Sequence, residues 1–235
     1  MLVKKYEAVL FDLDGTLLPM DYDGFIKGYL GLLCQKVGYL GYGAKELVGA
    51  MWQGVGAMVK NDGTMTNCDA FWKAFAGVFG DKVYEDIPVF DKFYTEEFHG
   101  AKAFTGENPL ALKAVELARK AADKVVLATN PIFPSQATSS RLSWIGLSYG
   151  DFDFVTDYYN SGYCKPSPKY YVDIAQKMGV DATKCLMVGN NTEEDIVAAA
   201  AAGMDTYLIT DCLLCEKEMP ECKKGTFAEF IEFMS

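Results

Sequence analysis

A chain of 235 residues, half of them hydrophobic and 14% aromatic, holds enough apolar material for one large domain or two smaller ones, which excludes intrinsic disorder. Its 32 acidic residues outnumber 22 basic ones, for a net charge of −10. No run of Lys or Arg offsets this locally, so nucleic acid and anionic membrane are excluded as partners.

In chain order, YEAVLFD (6–12) reads as a buried strand that ends on an acid, Asp12, with a second acid at Asp14. Residues 20–100 are rich in Gly and aromatic residues, offer few strand candidates, and read as a mostly helical insertion. Within them NCDAFWKAFAGVFG (67–80) predicts a helix capped by Asn67 or Asp69 and stopped at Gly80. NPLALKAVELARKAA (108–122) carries Leu110, Ala114, Leu117 and Ala121 at helical spacing. KVVLATN (124–130) and FDFVTD (152–157) read as strands. SPKYYVDIAQKMG (167–179) is a helix opening near Pro168 and ending at Gly179. KCLMVGN (184–190) is a further strand. TEEDIVAAAAAGM (192–204) is a helix with acids in its first turn, and DTYLIT (205–210) is the last strand. Continuous apolar strands alternating with helices predict an α/β fold with a parallel sheet covered on both faces.

The N-terminal segment has charges too early and an apolar run too short for a signal peptide, and no stretch is long enough to span a bilayer. Seven scattered cysteines read as reduced thiols, so a cytoplasmic protein is expected. Cys212, Cys215 and Cys222 lie close together, but three thiols with the sole histidine, His99, far away do not make a zinc site.

Open α/β sheets bind ligands at the carboxyl ends of their strands. The residues there are Asp12 and Asp14, Thr129 and Asn130, and Asn190 with Glu193, Glu194 and Asp195 beyond; Lys165 comes from the preceding YCKPSPKY. This set suits phosphoryl transfer. Asp12 is the expected nucleophile and Asp14 the expected acid and base, with a pKa shifted upward. Thr129, Asn130 and Lys165 are expected to hold the phosphoryl oxygens. Mg²⁺ between the carboxylates and the phosphate explains why two acids end one strand.

DLDGT, LATN, KPSP and VGNNTEED, in that order over residues 12–195, resemble the haloacid dehalogenase-like hydrolase superfamily. The resemblance implies a Rossmann-like core, formed by 1–19 plus 101–235, and a mobile helical cap, 20–100. It implies Mg²⁺ held by Asp12, the backbone carbonyl of Asp14, Asn190 and Asp195, and hydrolysis of a small phosphorylated metabolite through an aspartyl phosphate. Thr129 and Lys165 carry over directly. The fourth motif departs from the pattern, with Asn190 where such enzymes have Asp; an amide oxygen can bind Mg²⁺ but brings no charge. Asp195 stands where the later acid is expected, with Glu194 the nearest substitute. Dehalogenases of this fold lack an acid two residues after the nucleophile, so Asp14 argues for phosphate esters. Sugar-phosphate mutase chemistry and a non-catalytic phosphate-binding module remain as alternatives.

Overall fold

A computed structural model of the chain describes residues 4–235. Its centre is a six-stranded sheet, parallel throughout, in the order β3-β2-β1-β4-β5-β6. The strands are β1 (Tyr6–Phe11), β2 (Ala122–Leu127), β3 (Phe154–Val155), β4 (Cys185–Gly189), β5 (Asp205–Ile209) and β6 (Lys223–Gly225). Val9 of β1 lies level with Val125 of β2 on one side and Leu186 of β4 on the other. Alternation along β1 assigns its residues to two cores. Val9 and Phe11 join one with α5 (Ala111–Ala121), α6 (Ser135–Trp144) and α9 (Phe227–Met234). Ala8 and Leu10 join the other with α7 (Pro168–Met178) and α8 (Ala198–Ala201). Both faces of the inner strands are therefore dry, which is why their sequences are unbroken apolar runs.

The expected α/β architecture is the one observed, with adjustments at the ends of elements. The strand expected at 124–130 stops at Leu127, leaving Thr129 and Asn130 in the turn beyond it. The helix expected at 192–204 opens as a wide π-type turn over Thr192–Val197 before α8. β6, with its sequence KKG, was not expected: two of its three residues are exposed, so it has no apolar signature.

Four α-helices precede α5 in the segment between β1 and β2: α1 (Tyr22–Val37), α2 (Ala44–Val59), α3 (Asn67–Phe79) and α4 (Val83–Thr95). The helix expected at 67–80 is α3. Its cap is Thr66, whose hydroxyl accepts the Asp69 N–H, because Asn67 is instead buried with its amide donating to the Pro131 carbonyl. Gly80 stops it at φ +78°. α2 and α3 approach so closely that a Cβ on Gly54 would run into the Phe71 ring. Their interior is aromatic, with Phe75 wholly buried against Phe71, Trp72 and Phe90. The chain enters and leaves this segment side by side, through Asp21 N–H to Phe104 C=O (3.0 Å) and Gly106 N–H to Pro19 C=O (2.8 Å). No described helix is long and apolar enough to cross a membrane.

Candidate active site

The sheet order reverses between β1 and β4, and the two strands on either side of that switch point end in Phe11–Asp12 and Gly189–Asn190. A crevice therefore opens where strands diverge to opposite sides. A pocket of about 150 Å³ sits there, walled by Asp12, Asp14, Thr129, Asn130, Asn190, Glu194 and Asp195, among others. The structure thus brings together all of the expected site residues except Lys165, which lies immediately behind the wall.

Lys165 is completely buried, and its ammonium donates to Asp12 Oδ1 (2.8 Å) and Asp195 Oδ1 (2.7 Å). Burial alone would push its pKa down, but Asp12 and Asp195 together hold it well above the usual lysine range. The lysine is a fixed positive charge under the nucleophile position. Thr129 is held by its backbone, whose carbonyl accepts from the Thr156 (2.7 Å) and Tyr170 (2.8 Å) hydroxyls.

After Asp12 the chain turns through Gly15 at φ +86°, where a Cβ would also collide with the Asn190 amide. The turn brings the Thr16 hydroxyl within reach of Asp12 Oδ2 (3.3 Å) and Asn190 Oδ1 (3.0 Å). Asn190 is fully buried, and its Nδ2 donates to the Cys212 carbonyl (2.7 Å). An ionised Asp there would set an anion against that carbonyl, so the amide is what this loop requires.

Asp195 has both carboxylate oxygens committed, one to Lys165 and the other to the Asn191 N–H (2.9 Å). Its carboxyl sits on Gly189, where any side chain would displace it. Burial pushes its pKa up, with Lys165 opposing. Asn191 caps the π-type turn by accepting from the Glu193 and Glu194 N–H groups, and this sets Glu194 on the pocket wall. The Glu194 carboxylate accepts from Asn130 Nδ2 (3.2 Å), and burial raises its pKa.

Two residues that hold Asp14 gave no functional signal in the sequence. Arg141 of α6 is completely buried and ion-pairs with Asp14 Oδ2, while also donating to Thr138 Oγ1 (3.2 Å) and lying over the Phe133 ring at 4.5 Å. Tyr22 donates its hydroxyl to the Asp14 backbone carbonyl. Burial pushes Asp14 up to about 6, with Arg141 opposing and Asp12 adding to the rise.

Four acids (Asp12, Asp14, Glu194, Asp195) face two bases (Lys165, Arg141), and the buried Asp14 Oδ1 has no hydrogen-bond partner among the described residues. A divalent cation fits this imbalance, and an all-oxygen donor set suits Mg²⁺. Among the described residues no three His, Cys, Asp or Glu side chains converge as a metal cluster. No lysine of residues 20–100 lines the pocket, and Cys212, Cys215 and Cys222 are free thiols that do not line it.

A family model described as haloacid dehalogenase-like hydrolase matches residues 6–203. No protein of curated function matches the sequence significantly. Among solved structures, a HAD phosphatase from Thermococcus onnurineus is 22% identical, with 97% of each chain covered and a TM-score of 0.60. A 2-haloacid dehalogenase from Pseudomonas syringae is 17% identical over 98% of this chain and 100% of that one, with a TM-score of 0.64. The magnesium-bound HAD-hydrolase YfnB from Bacillus subtilis is 17% identical over 98% and 99%, with a TM-score of 0.59. At these identities the likeness is one of fold.

Proposed function

The chain belongs to the haloacid dehalogenase-like hydrolase family, and on that premise we propose that it is a Mg²⁺-dependent phosphatase, hydrolysing a small phosphorylated metabolite through an aspartyl phosphate on Asp12. The observation that carries the reading is the pair at the end of β1: Asp12 clamped by a buried, charged Lys165, and Asp14, two residues on, held by burial at a pKa of about 6. A halide leaves without a proton, whereas the alkoxide of a phosphate ester needs one. An acid that is part-protonated near neutral pH suits the ester.

An Asp12 oxygen attacks phosphorus, the ester P–O bond breaks, and the Asp14 proton passes to the leaving oxygen. Water then attacks the aspartyl phosphate and gives its proton to Asp14, and the Asp12 carboxylate is regenerated. Thr129 and Asn130 line the phosphoryl site, and the buried Lys165, donating to Asp12, holds a positive charge beneath it. Asp12, the Asp14 carbonyl and Glu194 would hold Mg²⁺, with Asn190 and Asp195 orienting them. When bound, the ion supplies charge neutralisation and alignment of the phosphoryl group. Residues 1–19 plus 101–235 act as the catalytic core and 20–100 as a cap that excludes water. The test is phosphate release from a panel of phosphomonoesters with and without Mg²⁺. Release that requires Mg²⁺ supports the reading; halide release from haloacids instead would overturn it.

A further inference from the structure

The pocket at Asp12 does not end at the acids. Ile26, Ile132 and Phe133 belong both to its wall and to the wall of a second, more enclosed cavity of about 50 Å³ between the cap helices α1–α4 and residues 132–134. A group bonded to a phosphate at Asp12 is separated from this cavity by those three side chains alone.

Its chemistry is restrictive. Trp52, Phe71, Trp72, Phe90 and Tyr94 contribute to the wall, and among the lining residues there is no Lys, Arg, His, Asn, Gln, Ser or Thr. The Tyr29 and Tyr94 hydroxyls bond to each other at 2.9 Å, and the Tyr158 hydroxyl donates to Tyr159. Among the described residues the buried Trp72 indole N–H is left without a partner, and the half-buried Asp91 carboxylate is the other open polar group of the wall, so few oxygens of a ligand could be served there. A sugar or polyol would lose its water hydrogen bonds with little in return. A carboxylate or second phosphate would find no base and would meet Asp91, the only charged residue of the wall. The volume is about a third of the ~150 Å³ that holds a benzene ring, so it admits the end of a short hydrocarbon chain, the carbons nearer the ester lying beside Ile26, Ile132 and Phe133.

Resting on the phosphatase reading, we propose that the substrate is the phosphomonoester of a short-chain, uncharged, largely hydrocarbon alcohol, whose chain occupies this aromatic cavity while its phosphate lies at Asp12. Two readouts test this on the full-length protein. The first is kcat/KM for pentyl phosphate against glycerol phosphate, glucose 6-phosphate and phosphoglycolate; pentyl phosphate is expected to lead by at least about tenfold, the scale of discrimination an apolar pocket provides. The second needs no catalysis: 1-pentanol should give a saturable change in the fluorescence of Trp52 and Trp72, which line the cavity. Val55→Phe, which fills it, should weaken that binding and lower kcat/KM for pentyl phosphate more than for methyl phosphate. Met51→Phe is the substitute if Val55→Phe does not fold. Absence of a saturable signal, or faster turnover of the polyol or anionic esters, would overturn the proposal. Pentanol binding with no phosphate released from any ester would instead refute the phosphatase reading and leave the hydrocarbon selectivity of the cavity standing.

Discussion

Removing the Arg141 guanidinium should expose how much of the site depends on a residue outside the four motifs. Arg141 is completely buried, and the Asp14 side chain it pairs with is only 17% exposed. Arg141→Met keeps much of the volume and leaves Asp14 without its charge partner. Breaking a buried pair in this way costs about 3–5 kcal/mol. Asp14 can escape part of that by taking a proton, since burial already holds it at about 6 and Arg141 is what opposes the rise. The sign follows from linkage. A carboxyl whose folded pKa lies above its unfolded value gives the folded state an extra proton, so its contribution to stability falls as pH rises through that window. In the variant the window extends further up, so urea unfolding should show a destabilisation that grows between pH 5 and pH 8. Asp14→Asn in the same background should recover a large part of it, with a coupling of at least about 1 kcal/mol in the double-mutant cycle. A loss below about 0.5 kcal/mol, constant with pH and additive with Asp14→Asn, would refute the reasoning.

Lys165→Met leaves Asp12 and Asp195 buried together without their shared cation. It should abolish turnover and cost about 3–5 kcal/mol, and added Mg²⁺ should raise its thermal midpoint by more than it raises that of the wild type. Glu194→Gln should weaken Mg²⁺ binding by calorimetry at least about tenfold, as loss of an anionic ligand does, while Asp195→Asn should act mainly on stability, by disturbing Lys165. Asn190→Asp should not tighten Mg²⁺ binding, despite the added charge. It places a carboxylate against the Cys212 carbonyl and should cost about 1–3 kcal/mol in urea unfolding; tighter binding with unchanged stability would contradict the hydrogen bonding described for the loop.

The inner strands were legible because a buried parallel strand must be apolar on both faces, and Val9, Leu10, Leu186 and Met187 say so without help from neighbours. Strand order was not, since nothing local in Phe11 or Gly189 states that β1 and β4 lie side by side; that pairing is what puts Asp12 beside Asn190. Thr66 took the capping position from Asn67 because tertiary contacts claimed the Asn67 amide. Asn190 looked like a weakened ligand, and its reason, the carbonyl of Cys212, is 22 residues away. Arg141 was hidden by its type: an arginine in a helix of weak apolar periodicity reads as surface until its partner, 127 residues earlier, is seen.

The most direct test of the account is to quench the enzyme with acid during Mg²⁺-dependent turnover of its best phosphomonoester and map covalent phosphate by peptide mass spectrometry. An acyl phosphate is expected in the peptide bearing VLFDLDGTLL, localised to Asp12, removed by hydroxylamine and absent from Asp12→Asn. Continued turnover by Asp12→Asn, or phosphate found on another residue, would contradict it.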